Sequence, residues 1–266
     1  MSRGLLFDSL AHPTLNGSWL GKAPGQSFDE LEDLISSEIL SGAVACGLPN
    51  VGGYSHEAFF KRAGDIESVY PVAAITKTSS CAIRQEVREI AEIGYKSFKV
   101  HPRLLGLNKG YASYLPTIYE MAAELDLVIF ICTYCYTAAP ELPESDPLFE
   151  LCGIMNHFPE VKTVLVHGGG VRIMEYAEVV RFNKNILLDL SLTLQKYFQS
   201  SIYYDLKFLF EKFDQRICIG TDSPEWSPIE TIDFCQKLFD DTCLSQIKKD
   251  NIINKNIKNF LGLKND

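Results

Sequence analysis

Long apolar runs are missing from this sequence of 266 residues. No stretch approaches the roughly 18–20 apolar residues of a membrane-spanning helix. The short apolar start at Leu5–Phe7 is broken at once by Asp8, so no secretory leader is expected. Positive charge is scarce: 25 Lys and Arg stand against 34 Asp and Glu, a net charge of −9. That argues against a nucleic acid or an anionic membrane as partner, because both are held by basic surface. A small anion can still be held by a local basic site. No G-x-G-x-x-G follows an apolar run, which weakens a dinucleotide-binding reading. No linker, low-complexity tract or repeat divides the chain, so residues 1–266 are read as one domain. The eight cysteines are scattered rather than framed as a disulfide scaffold, and free thiols in the cytoplasm are expected. Cys132 and Cys135 form a lone C-x-x-C, a weak signal for zinc or redox work.

What the chain does have is an alternation. Apolar, β-branched runs occur at Leu5–His12, Gly42–Leu48, Tyr70–Thr76, Ser97–His101, Leu127–Thr133, Val161–His167, Ile186–Ser191 and Ile217–Asp222. Most are continuous, as in parallel strands buried on both faces. Amphipathic segments lie between them. Ser27 to Glu30 is a capping box that opens a helix expected over 28–41, and Ser227 to Glu230 is another, with Pro at the first helical position. A final Asn- and Lys-rich helix is expected over about 245–260. Eight strands alternating with helices fit a (β/α)8 barrel; the competing arrangement is a doubly wound open sheet.

In such a barrel, chemistry gathers at the C-terminal strand ends. His12 ends the first run, Lys99 and His101 the fourth, Cys132 the fifth, His167 the sixth and Asp222 the eighth. A strand-end His often only bonds a loop carbonyl, but several ligand-type residues ending different strands would converge on one mouth. His56 and His157 fall in helical segments and read as packing or surface residues. In "FDSLAHP", residues 7–13, period-2 alternation puts Leu6, Asp8, Leu10 and His12 on one face, with Leu where a second His would complete a metal pair.

The chain resembles the amidohydrolase superfamily, in its compact amidohydrolase-related branch. The resemblance runs through Phe7-Asp8 to His12, "SFKVHP", "YEMAAELDLVIFIC", "FPEVKTVLVHGGG", "ICIGTDSP" and "NIKNFLGL", and covers nearly the whole chain; "VLVHGGG" and "IGTDSP" are its most specific pieces. It implies a (β/α)8 barrel with one divalent metal ion, zinc or manganese, at the mouth, or none where the ligands are lost. It also implies a small-molecule substrate and a hydrolase, lactonase or nonoxidative decarboxylase activity, because membership does not fix the reaction. The resemblance matches His12, His167 and Asp222 to family ligands. Leu10 and Cys132 stand where the family has His. His12, Cys132, His167 and Asp222 then make a four-group metal set: if all four bind, no position is open and the ion is structural or inhibitory; if His167 or Asp222 stays outside the shell, water takes the open position, with Asp222 as general base and His167 stabilising the oxyanion.

The metal-free reading gives Lys99, His12 or His167 the task of polarising a lactone carbonyl, with His101 beside Lys99 at the same mouth. Arg103 and Arg172 are the candidates for holding a substrate carboxylate, against a solvated helix face. Tyr134, Tyr136 and Trp226 read either as pocket wall or as loop packing. Gly168–Gly170 read as a turn rather than an anion site. Lys99 as a Schiff-base lysine, and a barrel that binds without catalysing, are the remaining readings. The aromatic-rich segment 201–213 reads as core or as the face of a homo-oligomer.

Overall fold

The computed structural model describes residues 5–20, 26–107, 111–136 and 143–264. The first half of the chain runs β1 (Leu6–Ala11), α1 (Phe28–Ser36), β2 (Leu40–Cys46), α2 (His56–Gly64), β3 (Val69–Ala74), α3 (Ser80–Ile93), β4 (Ser97–Val100) and α4 (Tyr111–Leu125). The second half runs β5 (Val128–Cys132), α5 (Pro147–His157), β6 (Thr163–Val166), α6 (Ile173–Phe182), β7 (Ile186–Asp189), α7 (Thr193–Lys196), α8 (Ile202–Lys212), β8 (Ile217–Cys218), α9 (Pro228–Asp240), α10 (Gln246–Asp250) and α11 (Asn256–Leu261). The eight strands pair in parallel in chain order, each with the next. The end of the sheet is drawn back to its start by backbone hydrogen bonds from Ser9 to Ile219, Asp222 to Leu10 and His12 to Ser223. This is the α/β barrel that the alternation predicts, and it sets aside the open sheet.

Two apolar layers hold it together. Leu31, Ile83, Ile90, Ile118, Leu151 and Leu206 belong to a large layer that joins helices to the outer faces of the strands. Phe7, Leu10, Val44, Val72, Phe130, Val164, Val166 and Leu187 form an inner layer. Burial of this much apolar surface is the dominant favourable term in folding.

Two expectations are corrected. The capping box of Ser27 and Glu30 forms, but α1 stops at Ser36, not at 41. Glu38 turns left-handed, with φ of 57°, and Leu40 already belongs to β2. In β1 the period-2 alternation does not run through. Leu6 packs in the outer layer while Phe7 and Leu10 pack in the inner one, and the register against β2 slips at two places. An irregularity of this kind shifts later side chains between faces.

Closure of the barrel fixes the mouth. Asp8 is fully buried and bridges β1 to the segment after β8: its Oδ1 accepts from the backbone N–H of Leu10 (3.0 Å) and of Thr221 (2.9 Å), and Thr221 Oγ1 donates to Oδ2 (2.6 Å). Gly220 allows the approach, because a Cβ there would lie 2.7 Å from the Leu10 nitrogen. Asp222 is thereby held directly above β1.

Candidate active site

Four groups meet where the strand ends converge. His12 follows β1, Lys99 lies in β4, His167 follows β6 and Asp222 follows β8. His12 Nδ1 donates to the Cys46 carbonyl (2.7 Å), so its Nε2 is left bare and faces the centre. Lys99 Nζ donates to that Nε2 at 2.9 Å. Asp222 Oδ1 lies 3.3 Å from His12 Nε2 and 3.9 Å from His167 Nε2. His167 is oriented the same way: its Nδ1 donates to the Ser191 carbonyl (3.1 Å), with Ser191 Oγ at 3.0 Å. Ser191 Oγ donates in turn to Asp189, which also accepts from the His167 backbone N–H (3.3 Å). Each imidazole thus has its tautomer set by a backbone carbonyl behind it.

The backbone is constrained at the same places. His167 and Asp222 both sit at positive φ, 69° and 55°. Such conformations are unfavourable for L-residues and persist where surrounding structure over-determines them. After His167 the chain turns through Gly168, Gly169 and Gly170, all at positive φ. Thr133 Oγ1 accepts from the Gly169 N–H (2.7 Å) and donates to the Val166 carbonyl (2.6 Å), which locks the turn to β5. The glycines are therefore a turn, as their spacing suggests.

Electrostatically the cluster is a balance of opposite charges. Burial pushes Asp222 up, but the His167 and Lys99 charges outweigh it and hold the carboxyl well below the usual range. Burial and the Lys99 charge together bring His12 down to about 4, so this ring is neutral. Burial also lowers His167, but Asp222 and Cys132 outweigh it and raise the ring above the ordinary histidine value. Burial pushes the Cys132 thiol up, but the imidazoles of His101 and His167 outweigh it and hold the thiol well below its usual value. The register explains the placement, since Cys132 pairs with Val166, the residue before His167.

The donor set does not fit the metal ion that the resemblance implies. Among the described residues, no group of three or more His, Cys, Asp or Glu side chains is arranged to hold one. Leu10 is fully buried in the inner apolar layer and offers no donor. The lone pair of His12 that would face an ion instead accepts from Lys99. Cys135 does not complete a second thiol centre; it is buried, its pKa is raised by burial, and all eight cysteines are free.

At the rim, Tyr134 packs over the glycine turn, with its ring edge-on to His167 at 6.5 Å. Arg103 and Lys196 both lie over that ring, 5.2 and 4.7 Å from its centre, and Lys196 Nζ donates to the Tyr134 hydroxyl (2.8 Å). Tyr136 packs edge-on against Tyr134. Among the described residues, neither Arg103 nor Lys196 has a carboxylate partner. Arg172 differs. Its guanidinium grips Asp146 with two bonds (2.8 and 2.9 Å) and bonds Glu175 (2.6 Å), so the expected substrate arginine is used up in tying the start of α5 to α6. Trp226 is also displaced from the expected wall. It lines an outer groove with Gln26, Asp33 and Ser37 and packs against Phe234. Beside Tyr134, the aromatic that meets the site is Trp19, stacked on His12 at 5.8 Å. Sequence reasoning missed Trp19, Lys196 and Ser191. Asp189, the polar last residue of β7, was not singled out either.

Comparison with known proteins gives the class. A family model described as "Amidohydrolase" matches residues 68–263, and the chain belongs to this family, in its amidohydrolase-related branch. The particular relatives are structural. An uncharacterised TIM-barrel protein from Bordetella bronchiseptica superposes with a TM-score of 0.73 at 16% identity, over 89% of this chain and 83% of its own. A protein described as a 2-pyrone-4,6-dicarboxylic acid hydrolase from Pseudomonas putida gives 0.61 at 14%, over 99% and 100%. A 2,6-dihydroxybenzoate decarboxylase from Rhizobium gives 0.63 at 14%, over 98% and 99%. At these identities the likeness shows the fold. No curated protein matches the chain by sequence.

Proposed function

We propose that the protein hydrolyses a small ester or lactone that carries a carboxylate, with Asp222 as the proton acceptor. The observation that carries this reading is the convergence of Asp222 Oδ1 with the Nε2 atoms of His12 and His167 around Lys99. An ionised carboxylate among oriented donors is what removal of a proton from water requires. In the proposed step, water attacks the carbonyl carbon while its proton passes to Asp222. The oxyanion that forms is stabilised by the Lys99 and His167 charges. The intermediate then collapses, the alkoxide leaves, and it takes the proton back from Asp222. Lactones suit such a site, because their carbonyl is activated enough to need only positioned donors.

The anion is assigned to the rim. Arg103 and Lys196 both lie over Tyr134 and, among the described residues, have no carboxylate partner, on a chain of net charge −9; this supports recognition of a negative group there. Two structural neighbours are described by names that are aromatic or pyrone carboxylates, and this agrees with an anionic substrate. The test is a panel of carboxylated and neutral lactones. Wild-type protein should prefer the carboxylated members. Asp222→Asn should lower kcat/KM by about 100-fold or more while the protein stays folded. Turnover of no ester or lactone, or an Asp222→Asn variant of full activity, would remove this reading.

A further inference from the structure

A buried lysine at the centre of the mouth is unusual in itself. Lys99 is 2% exposed, and a charge so far from water must be paired. Its charge acts on His12, His167 and Asp222, and its Nζ sits 2.9 Å from the one lone pair of His12 that faces the site. His12, His167 and Asp222 are also the residues that match family ligand positions. An ion bound there would need the same His12 Nε2 and the same Asp222 oxygen, at contact distance from a like charge. One cation or the other can occupy the place.

We propose that the Lys99 side chain stands where the family places its metal ion and supplies the positive charge in its stead. The proposal deepens the hydrolase reading above and rests on it for the catalytic role of that charge. Leu10 agrees with it: once Lys99 serves the site from β4, position 10 is free to fill the inner apolar layer. Asp222 brings negative charge to the mouth, and Lys99 brings balancing positive charge from the protein itself. It follows that the ion site is closed by one side chain and reopens when that side chain is shortened.

The experiment titrates folded protein with Co2+ alone, then with Zn2+ alone, and needs no substrate. Wild-type protein should show no tight site and no thiolate-to-cobalt charge-transfer band. Lys99→Ala should bind one ion per chain on the order of 100-fold more tightly than wild type, because a like charge at contact distance has gone. The cobalt complex should show the charge-transfer band, and the band should vanish in Lys99→Ala/Cys132→Ser. A wild-type protein that itself binds one ion with that band would overturn the proposal, as would a folded Lys99→Ala variant with no gain in affinity. Lys99→Gln covers the case in which the alanine variant does not fold, since its amide can still donate to His12 without carrying charge. It should keep KM and lose about 100-fold in kcat; full kcat would overturn the proposal. Failure of the lactone panel together with a gained ion in Lys99→Ala would remove the hydrolase reading and leave the assignment of Lys99 standing.

Discussion

Asp8 shows how much of the site depends on a residue that never reaches it. Its carboxyl ties β1 to the segment that carries Asp222, and burial raises its pKa from 3.8 to about 7. The hydrogen bonds from Thr221 and Leu10 pull the other way and do not cancel the burial. A group whose pKa is raised by folding contributes stability that is full below the unfolded pKa and is lost as pH rises through the folded one. The window is therefore about pH 4 to 7. Asn at this position keeps the acceptor for both N–H groups and offers an N–H to Thr221 Oγ1, so it mimics protonated Asp8. Asp8→Asn should match wild type near pH 4 and exceed its stability at pH 8, by up to about 4 kcal/mol, taking 1.36 kcal/mol for each of roughly three units. Urea unfolding at the two pH values measures it. Parallel curves at both would show that Asp8 is not held protonated by its site.

At the scale of elements, the loops after β4, β5 and β6 separate structural charge from the charge proposed to face the substrate. Arg172 clamps Asp146, the residue that caps α5, to Glu175 of α6. Arg172→Met should lower stability by about 1 kcal/mol through the lost tie and cap support and leave KM for a carboxylated lactone within about twofold. Arg103→Met should instead raise that KM about tenfold, a loss of roughly 1.4 kcal/mol, with little change in melting temperature. Steady-state kinetics beside thermal unfolding of both variants separates the two roles; a KM effect at Arg172 and none at Arg103 would reverse the assignment. The turn between β6 and α6 is stricter. A Cβ on Gly169 would lie 2.1 Å from the Tyr176 ring, at a φ of 74°. Gly169→Ala should destabilise by at least about 2 kcal/mol and reduce activity through His167, as far-UV melting and turnover can show.

On the scale of the whole molecule, the barrel was legible because its signal is repeated. Eight apolar runs alternate with amphipathic segments, and each strand of a doubly covered sheet carries the same mark. The polar strand ends were legible for the same reason, since a His or Asp at the end of an apolar run stands out: His12, His167 and Asp222 are brought together. What was not legible depends on distance across the barrel. Sequence spacing does not say that Lys99 reaches His12 across 87 positions, that Arg172 meets two carboxylates first, or that Trp19 rather than Trp226 turns toward the mouth. Strand boundaries near Leu40 shifted because a left-handed residue, not a periodicity, ends α1.

The central claim is that an amidohydrolase-family barrel works here through Asp222 and a resident lysine charge. The most direct measurement is the rate of hydrolysis of a carboxylated lactone by wild-type protein before and after exhaustive chelation, with Asp222→Asn beside it. The account predicts an unchanged rate after chelation and a loss of about 100-fold or more in the variant. A rate that disappears on chelation and returns with zinc or manganese would contradict it.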